Sequence, residues 1–148
     1  MTDRRVHIVA YETSGAPTEM VVGATDYTRD NGQMPVLRPK NHRAGTIFVM
    51  EDAQDDGAYY LRHEASGKYL AHWASRQLAL TQKGSNARDN ILLQHKMDGL
   101  DPSPWVAINN NNHDRVIDID HGVMEDGRPL LSFPWNDGKN QWWRLQDA

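Results

Sequence analysis

The chain has 148 residues, a formal net charge of −4 and no cysteine. A chain of this length is expected to fold as one domain with its own core, and without cysteine it has neither disulfides nor thiolate metal ligands. Its 16 lysines and arginines are scattered rather than clustered in a stripe, which argues against nucleic acid as a partner.

We expect neither a signal peptide nor a membrane span, and the sequence shows none of the common cofactor motifs. Residues 1–7 are too polar for a signal peptide, and no apolar run approaches the roughly 18 residues of a membrane-spanning helix. Phosphate-binding glycine loops and nucleophile elbows are missing, and the seven histidines never fall at the spacing of zinc ligands. We therefore expect a cytoplasmic protein, released if at all by a non-classical route, with no membrane insertion, enzymatic activity, cofactor or metal.

Short runs that alternate polar and apolar residues recur along the chain, and no window shows the pattern of an amphipathic helix. The predicted strands are, in chain order, 6–10, 20–23, 46–50, 59–62, 68–71, 79–81, 91–95, 105–108, 115–119, 130–133 and 141–145. Turn-forming residues separate them at 13–17, 30–32, 55–57, 65–67, 98–99, 109–112, 125–127 and 136–138. Many short strands with close turns indicate an all-β barrel or sandwich.

A weak threefold internal repeat favours the barrel over the sandwich. The strand-turn-strand segments at 59–71 and 105–118 have the same shape, and 32–39 echoes 127–134 if one inserted residue is allowed. Each third closes with an apolar strand, at 47–48, 91–93 and 142–143. Three four-stranded units predict a β-trefoil, with one domain over 1–148 and repeats of approximately 1–52, 53–98 and 99–148 in pseudo-threefold arrangement.

The segment 116–120 reads Val-Ile-Asp-Ile-Asp and places two carboxylates on one side of a strand. Side chains alternate across a strand, so Ile117 and Ile119 share one face while Asp118 and Asp120 share the other. With the isoleucines in the core, both carboxylates are expected to face outward. The same alternation predicts that Phe133 and its neighbour two residues earlier share one face of the strand 130–133.

Residues 116–145 resemble one repeat of the ricin-B-type β-trefoil lectins. That family's signature is an aspartate on an early strand, a Gly-x-Pro-Val-x-Leu-Trp-like strand and a closing Asn-Gln-x-Trp, and this chain has 127–135 and Asn-Gln-Trp-Trp at 140–143 in the corresponding places. The resemblance implies a disulfide-free carbohydrate-binding lectin of the fungal and bacterial kind, with galactose or N-acetylgalactosamine glycans as partners. By position in the motif, Asp118 accepts hydrogen bonds from sugar hydroxyls, Phe133 stacks on the sugar ring and Asn140 adds polar contacts.

Two further residues complete the predicted carbohydrate-binding set. Phe133 stands where the family more often has tryptophan, so Trp135 is a second candidate for the aromatic platform, and the turn at 136–138 could close over a ligand. Gln141 is included in the set, although it and Trp143 also belong to the fold signature, in which the glutamine ties backbone groups and the tryptophan fills the core. Of the remaining neighbours, Asp120 and His121 are expected to be solvated turn residues.

The other two repeats match the signature less well, so we expect one working site, or at most two. The first has Asp26 or Asp30, Arg38 and Asn41 near the corresponding places but lacks the closing Asn-Gln. In the second repeat, Leu70 or Ala71 replaces the key aspartate, with Trp73 near the middle and Asp89-Asn90 near the end. Monosaccharide affinity in a shallow site is expected to be on the order of millimolar, and avidity would need a second site or a homodimer.

A protein-binding trefoil with a vestigial sugar site is the alternative function. It would act as a protease inhibitor or another protein-binding module through a protruding loop, either 98–104 or 13–18. Pro102 and Pro104 would stiffen the first of these loops, as an inhibitory loop requires.

Overall fold

The computed structural model describes residues 3–26, 33–53, 57–74, 77–82, 94–101, 103–110 and 114–148. Within these ranges the chain forms twelve strands, and its only helical segments are three 3-10 turns at Tyr11–Thr13, Asp120–Gly122 and Lys139–Gln141. The strands are β1 Arg4–Ala10, β2 Met20–Ala24, β3 Pro35–Pro39, β4 Phe48–Asp52, β5 Ala58–His63, β6 Tyr69–Ala74, β7 Gln77–Thr81, β8 Gln94–Gly99, β9 Val106–Asn110, β10 Val116–Ile119, β11 Leu130–Phe133 and β12 Trp143–Asp147. No helix in the described ranges is long and apolar enough to cross a membrane.

Six strands close into an antiparallel barrel, and the other six form three hairpins that cover one end of it. The barrel runs β1, β4, β5, β8, β9, β12 and back to β1, so none of its strands has an open edge. The hairpins are β2–β3, β6–β7 and β10–β11, and each joins the barrel through one pairing. The hairpins also contact one another, and this arrangement is the predicted β-trefoil.

Two segments predicted as turns are extended. Asp98 and Gly99 belong to β8, where they pair with Ala107 and Val106, and the predicted start of that strand at 91–93 lies outside the described residues. Likewise, Asn109 lies in β9, where it pairs with β8 on one side and β10 on the other. Strand pairing, on one side for Asp98 and Gly99 and on both sides for Asn109, keeps these residues extended, and this long-range effect overrides their local preference for turns.

The strand register shows which residues occupy equivalent positions in the three repeats. Phe48, His95 and Trp143 are equivalent, because each begins the barrel pairing of the fourth strand of its repeat with the first strand of the next. Trp143 Nε1 donates to the carbonyl of Ile117 at 3.0 Å, and His95 Nε2 makes the same contact with Leu70 at 2.8 Å. A ring nitrogen at this position therefore ties the hairpin of its own repeat to the barrel.

The hydrophobic core fills the barrel and the space beneath the hairpins. Its buried members come from all three repeats and include Ile8, Leu37, Phe48, Leu61, Leu70, Leu78, Ile108, Ile117, Ile119 and Trp143. Burying each such side chain contributes about 1.5–3 kcal/mol before the loss of conformational entropy is counted. The predicted inward orientation of Ile117 and Ile119 is confirmed, and it is this orientation that turns Asp118 away from the core.

Candidate functional site

A pocket of about 200 Å³ opens where the third hairpin meets the 3-10 turn Lys139–Gln141. Seven residues line it: Asp118, Asp120, His121, Leu131, Phe133, Asn136 and Asn140. The three residues that the sequence motif placed first, Asp118, Phe133 and Asn140, are therefore brought together by the fold. Their elements are β10, β11 and the 3-10 turn, and residues 118 and 140 are 22 positions apart in the chain.

Asp118 is only 5% exposed, and two amide side chains hold its carboxylate. Asn140 Nδ2 donates to Oδ1 at 3.1 Å, and Gln141 Nε2 donates to Oδ2 at 2.7 Å. Hydrogen bonds to a charged acceptor are the stronger kind, and one bond to each oxygen restricts the rotation of the carboxylate. A carboxylate can accept up to about four hydrogen bonds, and these two amide donors fix its orientation at the pocket.

Gln141 lies behind the pocket rather than in it. Its side chain is fully buried, at 0% exposure, and its polar atoms are bonded within the protein. Besides Asp118, Nε2 donates to the carbonyl of Pro134 at 2.9 Å, and Oε1 accepts from the backbone N–H of Asn136 at 2.9 Å. Gln141 therefore positions Asp118 and the loop that follows β11, and its predicted contact with a sugar stays a prediction.

Asn140 can offer a ligand its carbonyl oxygen but not its amide protons. Both Nδ2 bonds are directed inward, to Asp118 Oδ1 and to the carbonyl of Ile119, each at 3.1 Å. Gly138 makes room for this arrangement, since a Cβ there would lie 2.6 Å from Asn140 Oδ1 and 2.8 Å from Asn136 Oδ1. Asn140 thus adds a second acceptor beside the carboxylate.

Asn136 supplies a hydrogen-bond donor to the pocket. Its Oδ1 accepts from the backbone N–H of Gly138 at 2.9 Å, which fixes the orientation of the amide. Among the described residues its Nδ2 has no protein acceptor, and the side chain is exposed at the pocket wall. The turn 136–138, predicted only as a loop that could close over a ligand, therefore contributes a specific polar group.

Phe133 and Leu131 form the apolar wall of the pocket. They are partly exposed and alternate with the buried Leu130 and Ser132, which confirms the predicted alternation in β11. In the register of the hairpin, Leu131 lies directly opposite Asp118. Trp135 does not line the pocket, although it is 40% exposed and is the largest exposed apolar side chain in the described part of the chain.

Asp120 and His121 line the pocket, where we predicted solvated turn residues. They do lie in a turn, the 3-10 segment Asp120–Gly122, where His121 has a φ of 53°. The Asp120 carboxylate lies 3.4 Å from the guanidinium of Arg128 and 3.6 Å from His121 Nε2. The alternation of 116–120 already pointed Asp120 to the same side as Asp118, and that signal could have placed it in the site.

The first two repeats lack the carboxylate. Val116, Tyr69 and Val21 each pair with the first strand of their repeat, so the residues two positions later, Asp118, Ala71 and Gly23, are equivalent. This equivalence selects Ala71 over Leu70 in the second repeat. Trp73's side chain and residues 89–90, also considered for that repeat, lie outside the described residues.

In the first repeat the place of the carboxylate is filled by Arg38. A Cβ on Gly23 would lie 2.7 Å from Arg38 Cγ, so the arginine stem occupies the space that an acidic side chain would need. The predicted acid Asp26 lies three residues further on and pairs with Arg43 at 3.0 Å, while Asp30 lies outside the described residues. Asn41, also predicted near this place, is exposed in a turn with a φ of 68°.

Comparison with known proteins identifies the fold. No protein-family model matches the chain, and no curated protein matches its sequence. The designed threefold-symmetric protein ThreeFoil superposes with a TM-score of 0.81 at 17% identity, covering 97% of this chain and 99% of that one. SeviL bound to asialo-GM1 saccharide matches with a TM-score of 0.70 at 14% identity, covering 99% of both chains.

An enzyme chain also contains this fold. The exo-β-1,3-galactanase 1,3Gal43A from Clostridium thermocellum matches with a TM-score of 0.81 at 17% identity over 98% of this chain. The match spans only 30% of the galactanase chain. At these identities the likeness shows the β-trefoil fold, and the function of this chain has to be argued from its pocket.

Proposed function

We propose that the protein is a lectin that binds carbohydrate without transforming it, in the pocket around Asp118, and that the sugar is of the galactose or N-acetylgalactosamine type. The observation that carries this proposal is the buried Asp118 carboxylate, which two amides hold at the base of an open pocket beside an aromatic wall. A pyranose presents a rim of hydroxyls and a face of C–H groups, so it needs a strong acceptor and an apolar surface together.

Five of the seven pocket residues have a role in such a complex. Asp118 and Asn140 Oδ1 accept hydrogen bonds from sugar hydroxyls, and Asn136 Nδ2 donates to a sugar oxygen. Phe133 covers the C–H face of the ring, with Leu131 beside it. This combination of acceptors, one donor and an apolar wall matches a sugar better than a peptide, which would present its own alternating donors and acceptors to a strand edge.

The choice of galactose rests on the resemblance of 116–145 to the lectin motif and on the neighbouring structures. SeviL is bound to asialo-GM1 saccharide in its structure, and 1,3Gal43A is an exo-β-1,3-galactanase. The pocket volume of about 200 Å³ suits one sugar ring rather than an extended chain. Affinity for a monosaccharide is then on the order of millimolar, and a homodimer would supply the avidity needed on a cell surface.

A glycan array followed by titration of the best glycan tests the proposal. Losing a hydrogen bond to a charged acceptor costs about 1.5–3 kcal/mol, so Asp118→Ala should weaken binding by roughly 10- to 100-fold. The matched control is Asp147→Ala, because Asp147 is an exposed aspartate outside the pocket whose carboxylate pairs with Arg4 at the start of β1. Circular dichroism of each variant verifies the fold. The mass of the glycan after incubation with the protein should be unchanged in mass spectrometry, because a lectin does not cleave its ligand.

Several outcomes would contradict the proposal. If the array shows no glycan bound and the protein inhibits a protease, the protein-binding alternative replaces it. If Asp118→Ala folds and binds as tightly as Asp147→Ala, the protein is a lectin with its site elsewhere. Cleavage of the recovered glycan would make the pocket catalytic.

A further inference from the structure

A second cavity, of about 340 Å³, lies where the three hairpins meet. All three repeats contribute to its lining, which includes Met34, Val36, Leu78, Pro129, Leu130 and Leu131. Val36, Leu78 and Leu130 are buried and form its floor, while Met34 and Leu131 are partly exposed and Pro129 is exposed. We call this space the hairpin cavity. Its lining is mostly apolar, so it offers a sugar ring few of the polar partners that the Asp118 pocket provides.

The hairpin cavity adjoins the Asp118 pocket through a single side chain. Leu131 lines both spaces, and it lies directly opposite Asp118 in the β10–β11 pair. Side chains opposite each other on antiparallel strands have their Cβ atoms about 4.5–5.5 Å apart, so the two spaces are separated by roughly the width of one leucine. A ligand seated on Asp118 therefore has an apolar space within reach.

The connection is specific to the third repeat. The residues equivalent to Leu131 are Val36 and Ala79, which pair with Gly23 and Ala71 respectively. Neither of those partners has a polar side chain that could hold a sugar. Within the described residues, Leu131 is therefore the one of the three equivalent residues that separates a carboxylate from the hairpin cavity. A threefold scaffold thus has one polar pocket and one adjacent apolar space.

We propose that the ligand is a glycoside with an apolar group attached to its sugar, and that this group passes over Leu131 into the hairpin cavity. The inference rests on the proposed function, since it places the sugar on Asp118. It adds that the aglycone contributes to affinity. The apolar lining favours an alkyl chain over a second sugar, because hydroxyls buried against Val36, Leu78 and Leu130 would lack partners.

Calorimetric titration with methyl β-galactopyranoside and with octyl β-galactopyranoside, the latter below its micelle concentration, tests the inference. Each fully buried methylene is worth about fourfold in affinity, so partial burial of the octyl chain should tighten binding by at least about tenfold. The heat-capacity change should also be more negative for the octyl compound. If the methyl glycoside binds and the octyl glycoside binds no more tightly, the inference is overturned and the proposed function stands.

Two variants locate the octyl chain. Met34→Glu places a charge in the hairpin cavity and should remove the octyl advantage while leaving methyl glycoside affinity unchanged. The matched control Gln82→Glu adds the same charge at an exposed position after β7, outside the cavity, and should keep the advantage.

The remaining outcomes are also decisive. A full octyl advantage in Met34→Glu puts the chain elsewhere and refutes the inference. Octyl binding that survives Asp118→Ala undiminished would show a cavity independent of the sugar pocket, which also refutes it. If no galactoside binds and the glycan array is blank, the proposed function itself has failed.

Discussion

Two buried histidines make the stability of this protein sensitive to acid. His72 and His95 lie with their ring centroids 4.9 Å apart, between the second hairpin and the barrel. His72 Nδ1 is 2.7 Å from Ser132 Oγ on the third hairpin, and His95 Nε2 is 2.8 Å from the carbonyl of Leu70. Burial lowers the pKa of His95 to about 4, and burial together with the neighbouring His95 lowers the pKa of His72 well below 6.5.

The histidine pKa values differ between the folded and the unfolded chain, and this difference determines how stability changes with pH. In the unfolded chain both histidines recover a pKa near 6.5, so below that pH the unfolded state binds protons that the folded state does not. The free energy of unfolding therefore falls as the pH drops from 6.5 to about 4 and is unaffected by these groups above that window. For His95 alone the loss by about pH 4.5 is roughly 2–3 kcal/mol.

His95→Phe isolates this contribution, because Phe48 and Trp143 already occupy the equivalent positions in the other repeats. Urea unfolding followed by tryptophan fluorescence gives the free energy of unfolding at about pH 7.5 and about pH 4.5. The variant should lose roughly 2–3 kcal/mol less than the wild type over this interval. The control is His121→Gln, which removes an exposed histidine and leaves both buried histidines in place.

Carboxylates titrate in all three proteins, so their contribution cancels in the comparison. If His95→Phe and the wild type lose equal stability between the two pH values, the buried-histidine reasoning is wrong.

Two further predictions concern the packing around Asp118 and around Gly23, the equivalent position in the first repeat. Gln141→Ala should lower the free energy of unfolding in urea by about 3 kcal/mol, because it removes a charge-assisted bond to Asp118 and leaves two backbone groups unpaired. The control Gln82→Ala should change the free energy of unfolding by less than about 0.5 kcal/mol. A loss below about 1 kcal/mol for Gln141→Ala would show that water replaces the amide. Gly23→Ala should cost about 1–3 kcal/mol through its clash with Arg38, and Gly23→Ala combined with Arg38→Ala should cost less than the sum of the single variants. Additive values would mean that the two residues do not compete for space.

Strand alternation was a good predictor wherever the backbone is extended. In β10 and β11 it correctly turned Ile117 and Ile119 inward and put Leu131 and Phe133 on one face. It is not the reason for the orientations of residues 140 and 141, because the chain forms a 3-10 turn at 139–141 and the period of two does not apply there. Gln141 is consequently buried while Asn140 reaches the pocket, a difference that depends on tertiary packing.

The repeats were harder to align by sequence, because equivalent positions have diverged in chemistry. His95 stands where the third repeat has Trp143, and it keeps the contact to a hairpin carbonyl with a different ring. No composition or periodicity rule equates histidine with tryptophan. The strand register of the barrel identifies the two residues as equivalent. Because their chemistry differs, the sequence alone aligned the strands of the second repeat with those of the third but not their individual residues.

Arg38, which occupies the place of the carboxylate in the first repeat, also supports the pocket of the third repeat. Arg38, whose stem fills the place beside Gly23, reaches across with its guanidinium to Asp126 at 2.9 Å. Next to it, Leu37 exchanges backbone hydrogen bonds with the third hairpin, accepting from Gly127 at 2.7 Å and donating to Arg128 at 2.8 Å. Arg128 in turn donates to the carbonyl of Asp120 at 2.9 Å, at the edge of the Asp118 pocket. Arg38 therefore excludes a carboxylate from the first repeat and also supports the loop 120–128 beside the Asp118 pocket. Replacing Arg38 to make room for an acidic side chain at position 23 would consequently weaken the pocket of the third repeat.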